Sequence, residues 1–113
     1  MARSTPERAT VTADWQASYT PALAVARGQP LTSHHSDPDN PGWRWTTDAN
    51  GLGGWLPPGL VQDGEASADF DSTELSAKAG ETVSLLQRLN GWSLCRGPTG
   101  AEGWLPDSHL SPA

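Results

Sequence analysis

Asn90-Gly91-Trp92, a short polar run, then Gly103-Trp104-Leu105-Pro106 and Leu110 form the stretch on which the reading of this chain turns. It occurs twice. Pro41-Gly42-Trp43 is followed by Gly54-Trp55-Leu56-Pro57 and Val61, and each pair of tryptophans is separated by the same 12 positions. Tryptophan is rare, so two Gly-Trp pairs at one spacing, each closed by Gly-Trp-Leu-Pro, mark an internal repeat.

The alignment extends outward from these anchors. Val11-Thr-Ala13-Asp14-Trp15 lies against Ala66-Ser-Ala68-Asp69-Phe70, and Ala22-Leu23-Ala24-Val25 lies against Glu74-Leu75-Ser76-Ala77. The copies differ in length in two places, between Trp15 and Leu23 and between Leu31 and Trp43, as surface loops on a fixed framework would. The expected organisation is a flexible tail over 1–8, one domain over 9–61, a linker over 62–65 and a second domain over 66–113. A linker that short holds two domains against each other.

Gly 12 and Pro 10 in 113 residues, with no long 3.6-period apolar stripe, argue against helices. Short apolar runs broken by Gly, Pro, Asn and Asp predict small, turn-rich all-β modules. Thr10 to Trp15 reads as a first strand, Gln16 to Pro21 as a loop carrying Tyr19, and Gln29 to Ser33 as a brief strand. His34 to Gly42 reads as a turn-forming run, and Asn50-Gly51 as a hairpin turn with positive φ values. In the strand from Thr82 to Arg88, Val83 and Leu85 share a face and should point inward.

The net charge is −6. Residues 62–113 carry Lys78, Arg88 and Arg96 against eight Asp and Glu, and residues 9–61 carry Arg27 and Arg44 against four Asp. Phosphate binding needs clustered Lys and Arg, so nucleic acid is disfavoured and a basic partner favoured. The single cysteine, Cys95, allows no internal disulfide and reads as a small buried residue. The polar start implies no signal peptide, no stretch is long enough to cross a bilayer, and a cytoplasmic location is expected. His34, His35, Asp37 and Asp39 share one loop with no second cluster at ligand spacing, so a solvated loop is expected and no metal or other cofactor. No nucleophile has a base and orienter in view, and no catalytic carboxylate pair or phosphate loop is present, so a non-enzyme is expected.

In order and spacing, Ala66-Ser-Ala68-Asp69-Phe70, Glu74-Leu75-Ser76-Ala77, Gly80-Glu81, Gly91-Trp92 and Gly103-Trp104-Leu105-Pro106 resemble the Src-homology-3 (SH3) family. The family opens on Ala-Leu-Tyr-Asp-Tyr and continues through Glu-Leu-Ser, Gly-Trp and a closing Gly-x-Phe-Pro motif. Residues 10–111 fit this pattern twice, more loosely in the first copy, in a form that looks like the bacterial variants. The resemblance implies two tandem SH3-like β-barrels packed through a very short linker. It also implies a groove that takes extended polyproline segments. The groove tryptophan maps to Trp92 and Trp43, the groove proline to Pro106 and Pro57, and the last opening aromatic to Phe70 and Trp15. Asp71 and Glu74 take the place of the acids that pair with a ligand Arg or Lys, and Tyr19 could add an aromatic in the first copy. Two further family tyrosines are replaced, by Ala68 and Ala13 and by His109 and Leu60.

Trp92 and Trp43, each following a turn glycine, are expected to be partly exposed. Trp104 and Trp55 stand open between half-exposed and packed. The implied function is a non-catalytic module binding an extended protein or peptide segment, proline-rich and basic in one version, as monomer or homodimer. An assembly unit with its Trp faces buried against another copy, and a cell-wall-binding module, are the alternatives.

Overall fold

In the computed structural model, residues 7–18 and 22–113 are described. The strands are β1 (Glu7–Val11), β2 (Ala24–Val25), β3 (Thr32–Ser36), β4 (Arg44–Thr47), β5 (Gly53–Leu56), β6 (Val61–Gln62), β7 (Glu65–Ala66), β8 (Phe70–Asp71), β9 (Thr82–Leu89), β10 (Trp92–Arg96), β11 (Glu102–Pro106) and β12 (Leu110–Pro112). One 3-10 turn, Asp107–His109, is the only helical element among the described residues. The protein is all-β, as the turn-rich composition predicts.

The residues group into two compact units that do not follow the sequential division. One joins residues 7–18 to 74–113, and the other is the stretch between them, described from 22 to 73. Domains over 9–61 and 66–113 are therefore not how the chain groups: the opening segment of each repeat sits with the body of the other. In the first unit the strand order is β11-β10-β9-β1-β12, with β1 between β9 (Ala9 opposite Val83) and β12 (Val11 opposite Leu110). In the second unit β3-β4-β5 form one sheet, β6 pairs with β7, and β2 pairs with β8.

The linker expected over 62–65 is in fact a hairpin turn inside the second unit. Asp63 (φ 53) and Gly64 (φ 77) both take the left-handed conformation between β6 and β7. Asp-Gly is suited to such two-residue turns, whose twist matches that of the flanking strands. Asn90 (φ 46) and Gly91 (φ 87) make the same turn between β9 and β10. The expected Asn50-Gly51 turn differs: only Gly51 has a positive φ, and Asp48 Oδ1 organises the loop by accepting from the amides of Asn50 and Leu52.

Other boundaries move as well. Glu7 and Arg8, expected in a tail, belong to β1, because ladder bonds to β9 extend that far. The strand expected to stop at Ser33 runs to Ser36, with a bulge between Ser33 and His35 that lets β3 follow β4. The sheets are not closed barrels. In the first unit β11 and β12 remain at opposite ends of the ladder, and β11 is met instead by the incoming chain, Leu75 N–H donating to the Trp104 carbonyl at 3.0 Å.

Each unit has its own core. In the first, Ala9, Val11, Leu75, Ala77, Val83, Cys95 and Leu105 are buried, with Leu85 packed at the edge as its shared face with Val83 predicts. In the second, Leu23, Val25, Leu31, Leu56, Leu60 and Ala66 are buried. The two sets correspond through the repeat, Val11 to Ala66 and Leu75 to Leu23 among them, and Cys95 matches the equally buried Thr46. Burial of this apolar surface is the main favourable term for units of this size.

The glycine of each Gly-Trp-Leu-Pro motif has a packing reason. A Cβ on Gly103 would stand 2.6 Å from the Leu75 nitrogen and 2.7 Å from the Glu74 carbonyl carbon. A Cβ on Gly54 would meet Ser72 Oγ at 2.6 Å and Leu23 Cβ at 2.8 Å. In both units a neighbouring segment crosses the strand so closely that only glycine fits.

Among the described residues no helix is long and apolar enough to cross a membrane.

Candidate functional site

In the first unit, the Asn90-Gly91 turn delivers Trp92 to the outer face of β10, directly opposite Pro106 of β11. Trp15 follows β1 and is held by two backbone bonds with Ala77, N–H to carbonyl at 2.8 and 2.9 Å. Its indole meets Trp92 edge to face, with ring centres 5.6 Å apart at 79°. On its other side it meets His109 at 5.1 Å and 82°. All three rings are half-buried. Edge-to-face pairs at these separations are favourable because the positive edge of one ring faces the negative face of the other. The His109 ring is placed by the 3-10 turn, with Nδ1 3.3 Å from the Ala13 carbonyl oxygen. Asp107 in the same turn accepts from Ser93 Oγ at 2.6 Å.

Glu74 lies beside this row of rings and is buried, with 9% of its surface exposed. Its Oε1 accepts from Trp15 Nε1 at 3.1 Å and from the Ser18 amide at 2.9 Å. The tryptophan expected to serve the first repeat thus pairs with the tryptophan and the acid of the second. Pro106, opposite Trp92, is buried.

The second unit assembles the matching residues differently. Trp43 is buried, with 5% exposure, which corrects the expectation of an exposed groove tryptophan. The loop before it, longer than its counterpart, folds back: the Trp43 carbonyl accepts from the Asp37 amide, and the Trp43 amide donates to the Asn40 carbonyl. Asp37 braces that loop by accepting from the Asp39 amide and from Asn40 Nδ2. The Trp43 ring lies 6.3 Å from Phe70 at a tilt of 58°, and Pro57 is buried. Leu60, the counterpart of His109, is in the core, where an apolar side chain is more stable. The Asp71 carboxylate is exposed and accepts from the amide and hydroxyl of Thr73. Tyr19 lies outside the described residues.

The structure therefore brings together Trp15, Trp92, His109 and Glu74, with Pro106 opposite Trp92, and separately Trp43 and Phe70. Trp104 is also buried, at 4%, whereas Trp55 is half-buried. The sequence did not single out the cluster around Trp55. That ring meets His35 at 5.6 Å and Trp45 at 5.3 Å, all three lying across one register of β3, β4 and β5. Identical register in a sheet of alternating pleat is the signal that places them on one face. His34, expected in a solvated loop, bonds Thr47 Oγ1 through Nε2 at 2.8 Å.

Charge is distributed otherwise than the linear repeats imply. Residues 22–73 hold Arg27 and Arg44 against seven Asp and Glu, so most of the acidic surplus lies in the second unit. Cys95 is fully buried and its thiol is pushed up to about 11, first by burial and then by the Asp107 carboxylate, against a smaller lowering by Arg88. A thiol held protonated in this way is not poised as a nucleophile.

No protein-family model matches the chain, and no curated protein matches it.

Proposed function

We propose that this protein is a non-catalytic binding module whose first unit takes an extended peptide segment, proline-rich with a basic residue, along the groove of Trp15, Trp92 and His109. The observation that carries the reading is the half-buried row of three rings, at 5.6 and 5.1 Å, with Pro106 opposite Trp92 on the neighbouring strand. Such a row presents half-buried aromatic surface against which the flat, apolar ring of proline can pack. A polyproline helix arrives with little conformational entropy left to lose. The resemblance of the motifs to the SH3 family points the same way, and in that family such a groove takes a segment with a flanking basic residue. The second unit, whose Trp43 is buried, offers no second groove of this kind in this reading.

The test is a two-dimensional NMR titration with proline-rich peptides, with and without flanking Arg. Shifts concentrated on the indole signals of Trp15 and Trp92 are the expected result, and Trp92→Ala should abolish them with little change in the melting curve. A panel that leaves those two signals unmoved would remove the assignment.

A further inference from the structure

Glu74 is the only charged side chain in the buried set of described residues. A buried carboxylate needs hydrogen-bond donors, and here Oε1 takes two from the segment that follows β1, the Trp15 indole and the Ser18 amide. Ser18 is where the chain leaves the first unit and Glu74 is where it returns, so the carboxylate joins exit and re-entry as well as the groove. Turning the Trp15 ring over would carry Nε1 away and strip the buried charge of a donor.

We propose that Glu74 is the positioning residue that sets the specificity of the Trp15–Trp92 groove, acting on the ligand through Trp15 and not by pairing with a ligand cation. This rests on the reading of that groove as a peptide site. An indole has one hydrogen-bond donor, and Glu74 occupies it. Trp15 therefore meets a ligand only as an apolar wall, fixed edge-on to Trp92. Such a wall accommodates a ligand residue that asks for no donor, and the N-substituted proline ring is the natural occupant. The role suggested by sequence, a carboxylate reaching out to a ligand Arg or Lys, competes with the burial of Glu74 and with the two bonds that tie its Oε1 to Trp15 and Ser18.

The experiment compares wild type with Glu74→Ala and Glu74→Gln in the full chain, using two probes: a proline-rich peptide with a flanking Arg, and the same peptide with Gln in its place. Losing a hydrogen bond to a charged acceptor should weaken both peptides about equally, by roughly tenfold in Glu74→Ala. Glu74→Gln, which keeps a neutral acceptor, should fall between. In parallel the Trp15 indole N–H signal should move upfield and exchange faster with solvent in Glu74→Ala, while the indole signals of Trp45 and Trp55 stay in place. A loss confined to the Arg peptide would overturn the proposal, as would a Trp15 signal that does not move. If neither peptide binds the wild type, the peptide-site reading fails, and with it Glu74's part in specificity; the Trp15 signal then still reports whether Glu74 orients the ring. Should Glu74→Ala fail to fold, Glu74→Gln carries the same two readouts.

Discussion

Val11→Ala tests the grouping of segments directly. Val11 is 1% exposed and shares a core with Val83, which sits diagonally across from it on the neighbouring strand. Removing two methyl groups forfeits about 1.6 kcal/mol of transfer free energy at roughly 0.8 kcal/mol per carbon. The cavity left behind raises the loss to about 2–3 kcal/mol. Had each repeat folded on its own residues, Val11 would face Leu23, Val25 and Leu31 instead. A double-mutant cycle separates the alternatives, because residues sharing a core couple by about 0.5–1.5 kcal/mol while independent sites add within roughly 0.5 kcal/mol. Val11→Ala with Val83→Ala should be non-additive, and Val11→Ala with Val25→Ala additive. Urea unfolding followed by indole NMR signals resolves the units, since Trp15, Trp92 and Trp104 report on one and Trp43, Trp45 and Trp55 on the other. Coupling to Val25 and none to Val83 would refute the grouping and everything built on the Trp15–Trp92 pair.

Other consequences can be checked on the same protein. Gly103→Ala should cost about 3 kcal/mol or more in urea unfolding of the first unit, because the added carbon meets backbone that cannot swing aside. Gly53→Ala should cost about 1–3 kcal/mol in the second unit, since its Cβ would overlap the Trp45 indole; unchanged Trp45 signals would contradict this packing. Trp43→Ala should lower the melting temperature strongly, where Trp92→Ala does not, because only Trp43 is buried among them. Raising the pH should destabilise the fold between about 9 and 11. The unfolded thiol of Cys95 loses its proton near 9.0 while the folded one keeps it to about 11, so the unfolded state binds fewer protons there and stability falls. The full effect is about 2–3 kcal/mol at 1.36 kcal/mol per unit, and it should be missing from the stability profile of Cys95→Ala.

Much of this was legible before any coordinates. The two Gly-Trp-Leu-Pro motifs announce the repeat, the density of Gly, Pro and Asn announces short strands, and the aligned apolar positions from Leu23 to Leu56 and Leu75 to Leu105 name both cores. Alternation in Val83 and Leu85 predicts their shared face. The exposure of Trp43 was not legible. It depends on how the 37–42 loop folds, through an Asp37 side chain bonding two residues of that loop and a backbone bond to Trp43. The partner of Glu74 was hidden for a related reason, since nothing local links residue 74 to Trp15, 59 positions away.

What the sequence by itself determines is therefore the repeat, the all-β character and most of the inward-facing apolar positions, because these follow from periodicity and turn chemistry within each segment. Which opening strand completes which unit was decided only by tertiary structure. Val11 and Ala66 are equivalent in pattern, so either could fill the same slot in either core. The Asp63-Gly64 turn breaks the tie. Two residues in left-handed conformation can join β6 and β7 only as neighbours in one ladder, which commits the second repeat's opening strand to the unit of the first. The equivalent place beside β9 and β12 is then taken by β1, and with it Trp15 comes to stand against Trp92.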